Sequence, residues 1–100
     1  MAESRAGITG SKSDIDTTPT RLSSDTTKVV NNGVQLLADS TNTDVLYVGY
    51  TASITPGTVD ATNGFPLVAG AALLIPCRHL SDIYIMSSTN PDQIVHFIGQ

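Results

Sequence analysis

Three residues with metal-binding side chains lie close together near the middle of the C-terminal half. Cys77, His79 and Asp82 would offer a thiolate, an imidazole and a carboxylate, all of which bind zinc. A structural zinc ion normally takes four ligands, and no further Cys or His follows at zinc-finger spacing. We therefore predict no metal site here, with Cys77 as a small buried apolar residue and His79 as a loop residue.

The second histidine, His96, alternates with Ile94 and Ile98 in a strand-like run. This spacing predicts that its ring points from one face of a strand, towards a subunit interface or a second sheet. The Ser87-Ser88 pair lies in a predicted turn, where hydroxyl groups usually bond to the backbone. Nucleophile-elbow, phosphate-loop and dinucleotide motifs are also absent. We expect a protein that is not an enzyme and binds no cofactor.

The carboxylates of the last seventy residues are five widely spaced aspartates. Asp39 and Asp44 bracket a polar loop and make the best pair for calcium, but two carboxylates make a weak site, and we favour a solvated loop. Carbohydrate binding by a β-protein would use exposed aromatic rings. Trp is absent and the three tyrosines lie in strand-like runs, which disfavours that function.

Short apolar runs separated by turn-forming residues predict the strands that position these groups. We expect one or two strands within residues 17–31, and later strands at Val34–Leu37, Val45–Tyr50, Phe65–Leu67, Ala71–Ile75, Asp82–Met86 and Gln93–Ile98. Gly49 predicts a bulge or a close backbone approach, and Pro76 predicts the end of a strand.

Three turn signals divide these runs, at Asn32-Gly33, Asn63-Gly64 and Asn90–Asp92. Asn32-Gly33 is typical of a tight hairpin and is predicted to join Lys28–Val30 to Val34–Leu37. Strands recurring about every ten to twelve residues with turns between them are typical of a sandwich. The expected fold is all-β, a small antiparallel β-sandwich of jelly-roll or Ig-like type with little or no helix.

Charge divides the chain into two parts. Residues 1–30 carry four acidic and four basic side chains, whereas residues 31–100 carry five Asp and one Arg, which gives the net charge of −4. We expect an extended N-terminal arm at residues 1–16 and a sandwich body at residues 17–100. The residues expected to contact a partner lie in and next to the arm: Arg5, Ile8, Lys12, Ile15 and Arg21.

An acidic chain is poorly suited to bind nucleic acid, which requires clustered Lys and Arg. The longest apolar run, residues 67–76, is far shorter than the roughly 20 residues of a membrane span. The N-terminal residues contain no apolar block, so we also expect no secretory signal, and a protein that is made and kept in a cytoplasm or released from one by lysis.

A series of short motifs carries a resemblance across residues 34–99. The motifs are Val34–Asp39, Asn42, Val45–Gly49, Asn63–Leu67, Gly70, Leu80–Ile85 and Val95–Gly99. In order and spacing the series resembles small β-structured proteins from the virions of tailed bacteriophages. The N-terminal residues have no counterpart in this resemblance.

The resemblance implies a virion structural protein, and we expect a capsid decoration or cement protein on the outer surface of the head. Its expected partners are copies of itself, with a trimer favoured, and the major capsid protein or another virion protein. Two alternatives stay open: a host-surface or carbohydrate-binding module of a head or tail fibre, and a component of the head-to-tail connector.

Overall fold

The computed structural model describes residues 8–25, 29–30, 32–57 and 62–99, which form eight strands and one 3₁₀ turn at Leu80–Asp82. The strands are β1 (Ile8–Ile15), β2 (Thr20–Arg21), β3 (Val34–Ala38), β4 (Leu46–Gly49), β5 (Phe65–Leu67), β6 (Ala72–Ile75), β7 (Tyr84–Ser87) and β8 (Gln93–Gly99). The predicted all-β class is confirmed. No helix in the described part of the chain has the length and apolar character to cross a membrane.

The strands form two four-stranded antiparallel sheets. Sheet A has the order β1-β8-β3-β6, and sheet B has the order β2-β7-β4-β5. The pairs β1 with β8, β2 with β7, β3 with β6 and β4 with β5 mean that the chain runs as one long antiparallel ribbon, folded over into two sheets. This is the strand order of an eight-stranded jelly roll. The predicted antiparallel sandwich is confirmed.

The core fills the space between the two sheets. Residues alternate along β3, where Val34, Leu36 and Ala38 are buried and Gln35 and Leu37 are exposed, because successive side chains of a strand point to opposite faces. Sheet B contributes Leu46, Val48, Leu67 and Ile85, and the connections contribute Leu22, Val30, Leu80 and Ile83.

The first described residues belong to the sandwich and not to a separate arm. β1 pairs with β8 from Ile8 opposite Gly99 to Ile15 opposite Gln93, and Ile15 is completely buried in the core. The predicted division into an arm at residues 1–16 and a body at residues 17–100 is therefore wrong for residues 8–15. Residues 1–7 lie outside the described residues.

The hairpin predicted at Asn32-Gly33 does not form. Gly33 has the left-handed φ of +83° that the turn signal implied, and a Cβ there would lie 2.7 Å from the carbonyl oxygen of Ile75. The strand that follows, β3, pairs instead with β6 and β8, while Val29 forms a bridge with His79. Lys28, at the start of the predicted first strand, lies outside the described residues.

Three other local predictions agree with the structure. Among the described part of residues 17–31 there is one short strand, β2, and Pro76 directly follows the end of β6. Gly49 meets a close neighbour as predicted, although the neighbour is the side chain of Ile54. The loop after β4 lays Ile54 against Tyr47 and Met86, so it covers part of the outer face of sheet B.

Candidate interaction surfaces

The outer face of sheet A exposes large apolar side chains. Strand register aligns its outward-facing residues in two rows: Thr9, Ile98, Gln35 and Leu74, and then Ser11, His96, Leu37 and Ala72. Leu74 is 66% exposed, Ile98 56% and Leu37 43%. This face contrasts with the outer face of sheet B, which the chain's own loop covers in part.

His96 and Asp39 form a pair on the same outer face. Asp39 Oδ1 lies 2.8 Å from His96 Nε2, and the other carboxylate oxygen accepts bonds from the backbone N–H and the hydroxyl of Thr41. The hydrogen bond with His96, followed by those from Thr41, lowers the pKa of Asp39 to about 2. His96 thus lies on a sheet face and pairs with a carboxylate that stays ionised at neutral pH.

Asp44, at the other end of the polar loop, caps the connection between β7 and β8. Its carboxylate accepts bonds from the Ser88 hydroxyl and from the backbone N–H groups of Thr89, Asn90 and Val45. Partial burial raises the pKa of Asp44, but these hydrogen bonds lower it by more, and the net shift is strongly downward. Asp39 and Asp44 are each bound to protein donors, which leaves little capacity for the calcium pair considered from sequence.

Two amide side chains fix the same loop to β8. The buried Gln93 accepts bonds from the N–H groups of Thr43 and Asp44 and donates to Thr43 Oγ1 and the Pro91 carbonyl. Asn42 bonds to both backbone groups of Ile94, as a neighbouring strand would. The polar loop therefore has a structural role, because its hydrogen bonds fix the connection between the two sheets.

The residues considered for zinc do not form a ligand set. His79 Nδ1 lies 3.6 Å from Asp82 Oδ2, and Cys77 is partly buried against the core. Burial, and then the negative charge of Asp82, raises the pKa of the Cys77 thiol. Across residues 8–25, 29–30, 32–57 and 62–99, no three His, Cys, Asp or Glu side chains converge on a common point.

A groove with both polar and apolar lining residues runs between β1 and β2, at one open edge of the sandwich. It has a volume of about 670 Å³, and its lining includes Ser11, Lys12, Thr20, Arg21, Tyr84 and Phe97. We call it the basic edge groove. Arg21 lies over the ring of Tyr84, 5.3 Å from the ring centre, and donates a bond to the Ser81 carbonyl.

An apolar groove of about 550 Å³ lies at the opposite edge, between β5 and β6. Its lining includes Phe65, which is 59% exposed, together with Leu73 and Pro66. The Tyr50 hydroxyl donates a 2.7 Å bond to the Pro76 carbonyl and so links the two sheets beside this groove.

The residues predicted to contact a partner do not share one surface in the structure. Lys12 and Arg21 come together in the basic edge groove, and Ile8 is half-buried against the core. Ile15 is fully buried, so its placement among the contact residues is corrected: it packs in the core. Arg5 lies outside the described residues.

The apolar character of the outer face of sheet A was missed at the sequence level. The sequence contains a signal for this apolar face, because consecutive residues of β6 and of the end of β8 are apolar, as in Ala72–Ile75 and Phe97-Ile98. Such strands present apolar side chains to both faces of a sheet. A comparison with family models, with curated proteins and with solved structures finds no match to the chain.

Proposed function

We propose that this chain is a non-enzymatic structural protein of a phage virion. In this proposal it is a decoration or cement protein that binds the outer head shell and associates with copies of itself through the outer face of sheet A. The observation that carries the proposal is the exposure of Leu37, Leu74 and Ile98 on that face. Several large apolar side chains exposed on one face are typical of protein interaction sites.

The energy available from this face suits association. Complete burial of an aliphatic side chain contributes roughly 1.5–3 kcal/mol. Scaled by their exposed fractions, Leu37, Leu74 and Ile98 would contribute about 2.5–5 kcal/mol for each copy. Because the same patch occurs on every copy, a closed symmetric oligomer buries all of these side chains together.

The charge distribution favours the same face. The chain has a net charge of −4, so copies repel one another at most orientations. Among the outward-facing residues of sheet A, the ionised Asp39 is paired with His96, and the two rows between the strands otherwise carry apolar, amide or hydroxyl side chains. Contact through this face therefore brings few unpaired charges together.

The location of the protein on the particle gives the direct test. Electron microscopy of virions from the phage that encodes the chain should show copies on the outer head surface. Density on a fibre would favour the host-binding alternative, and a ring of six or twelve copies at the neck would favour the connector. Purified virions that lack the protein would contradict a structural role altogether.

The association surface has its own test in the purified protein. Mass photometry and sedimentation should show an oligomer that the Leu74→Ser/Ile98→Ser variant loses. Val68→Ser is the matched control, because Val68 is 55% exposed but belongs to the connection between β5 and β6. Equal assembly of all three proteins, or a monomeric parent protein at high concentration, would contradict self-association through this face.

A further inference from the structure

The basic edge groove concentrates positive charge on an acidic protein. Of the described Lys and Arg side chains, Lys12 and Arg21 line this groove and Arg78 lies elsewhere. Its lining contains no Asp or Glu and adds the hydroxyl-bearing residues Thr20, Ser23 and Ser24. An open groove with two cations and several hydroxyl groups favours a negatively charged occupant.

Arg21 is held in position for such an occupant. Its guanidinium lies over the Tyr84 ring and one of its nitrogens donates to the Ser81 carbonyl at 3.2 Å. A guanidinium has five N–H donors, so several are left for a ligand. Because two parallel donors of Arg match the two oxygens of a carboxylate, a carboxylate is a good geometric partner.

The aromatic rings in the groove disfavour a saccharide. Sugar rings bind proteins by stacking on free aromatic faces, but Arg21 occupies one side of Tyr84, and Tyr84 packs with Tyr47 and Met86 as well. The Phe97 ring lies against Gly10, where a Cβ would approach its Cζ to 2.8 Å. Both rings are thus engaged within the protein.

The groove is bordered by two strand edges. β1 is the last strand of sheet A and β2 is the last strand of sheet B, so each has a strand neighbour on one side only. Edge strands pair readily with an added extended segment, whose backbone continues the hydrogen-bonding pattern. A polypeptide satisfies both features of the groove, because its backbone can pair with an edge and its side chains can carry carboxylates.

We propose that the basic edge groove binds an extended acidic segment of a partner protein, with carboxylates of the segment paired to Lys12 and Arg21. This site shares only Ser11 with the two rows of the outer face of sheet A, and it does not depend on self-association. It gives the protein one surface for its own copies and another for a different chain.

The test uses a defined probe. A ten-residue peptide of alternating Glu and Thr, blocked at both ends, is titrated into the ¹⁵N-labelled protein at low salt. The backbone amide signals of Ser11, Lys12, Thr20 and Arg21 should shift together. The Lys12→Gln/Arg21→Gln variant should bind about tenfold more weakly, since bonds to charged groups are the strong ones. High salt should weaken binding in the same direction.

Lys12→Gln and Arg78→Gln each remove one positive charge, the first inside the groove and the second outside it, so Arg78→Gln is the matched control for Lys12→Gln, and its affinity should change less than twofold. If Arg78→Gln lost as much affinity for the peptide, or if amide signals shifted over the whole surface, the binding would be general charge attraction. Either result would overturn the proposed site. Lys12→Gln alone serves if the double variant loses its dispersed spectrum, since Arg21 also packs on Tyr84.

Two further titrations decide the class of ligand. An alternating Lys and Thr peptide should leave the groove signals unchanged. Polysialic acid that shifted the groove signals at lower concentration than the Glu peptide would overturn the polypeptide assignment in favour of an acidic saccharide. The Leu74→Ser/Ile98→Ser variant should bind the Glu peptide as the parent does, which keeps this result independent of the self-association test.

Discussion

Truncation of Ile15 to alanine tests whether the first described residues belong to the sandwich. Ile15 is completely buried, and it is the last residue of β1, opposite Gln93 of β8. Replacing a buried Ile by Ala removes apolar contacts and leaves a cavity, which costs about 2–5 kcal/mol. The total stability of a domain of this size is about 5–15 kcal/mol, so Ile15→Ala should remove a large part of it.

Urea denaturation followed by circular dichroism measures the effect. With a slope of about 1.5 kcal/mol per molar urea, a loss of about 3 kcal/mol lowers the midpoint by about 2 M. Ile8→Ala is the control at the other end of β1. Ile8 is only half-buried, so its truncation should lower the midpoint by clearly less.

Deletion of residues 1–16 extends the same test. The deletion removes the whole of β1 and exposes the paired edge of β8, together with the core side of Val95. The shortened protein should not reach a cooperatively folded state. If it unfolds with the same midpoint and slope as the parent, or if Ile15→Ala changes the free energy of unfolding by less than about 1 kcal/mol, then β1 is a dispensable arm and our assignment is wrong.

Three other predictions concern the loops that follow β3 and β4 and the residues that hold them. Gly49→Ala should destabilise the fold by about 1–3 kcal/mol in urea titrations, because the new methyl group meets Ile54, and Ile54→Ala should recover part of this loss. Gln93→Ala should cost about 2–4 kcal/mol, since the backbone N–H groups of Thr43 and Asp44 lose their acceptor. Gln93→Met, which keeps a similar side-chain volume but has no amide group, separates the lost bonds from the lost volume. The pKa of Asp39, about 2, lies below its ordinary value of 3.8, so the stabilisation that its carboxylate contributes is complete above about pH 4 and is lost as the pH falls towards 2. The lowered pKa of Asp44 acts in the same direction. Asp44→Asn should therefore reduce the fall in the urea midpoint between pH 5 and pH 2.

The strands and turns that sequence predicted best are those whose signals are local. β4 lies within a continuous apolar run, and β7 and β8 flank the turn at Asn90–Asp92, where Asp92 takes a positive φ of 65°. Apolar runs and turn residues act over a few positions, so they can be recognised without knowledge of the fold. They place the elements but not their partners.

The two main errors concern long-range pairing. β1 lacks apolar alternation because Gly10 and Lys12 occupy positions that face inward, beside Phe97 and Val95 of β8. An edge strand needs less apolar surface than a central one, so its sequence resembles that of an unstructured terminus. At Gly33 the turn residue was recognised, but the strand that follows pairs with elements about forty and sixty residues later.

The basic edge groove is formed by the same long-range pairing, which explains why only its two charged residues could be identified from the sequence. Lys12 and Arg21 were singled out by their charge, whereas their aromatic neighbours, Tyr84 and Phe97, lie more than sixty residues away. The ribbon pairs β1 with β8 and β2 with β7, so any side chain near the N-terminal strands acquires a neighbour from the C-terminal ones. Only the strand order reveals this.

The ribbon also explains why binding surfaces of different character can coexist on so small a domain. It places β1 and β2 at one edge of the sandwich and β5 and β6 at the other, with the central strands β8 and β3 between the two edges of sheet A. A face offers apolar side chains to a matching face, whereas an edge offers backbone groups and, here, two cations to an extended chain. Since the surfaces use different groups, a copy held by its face keeps the edge free, and an oligomer would present several basic grooves at once. Several grooves held together would bind a multivalent acidic surface far more tightly than one groove alone, and such tight binding would suit the proposed role on a repeating shell.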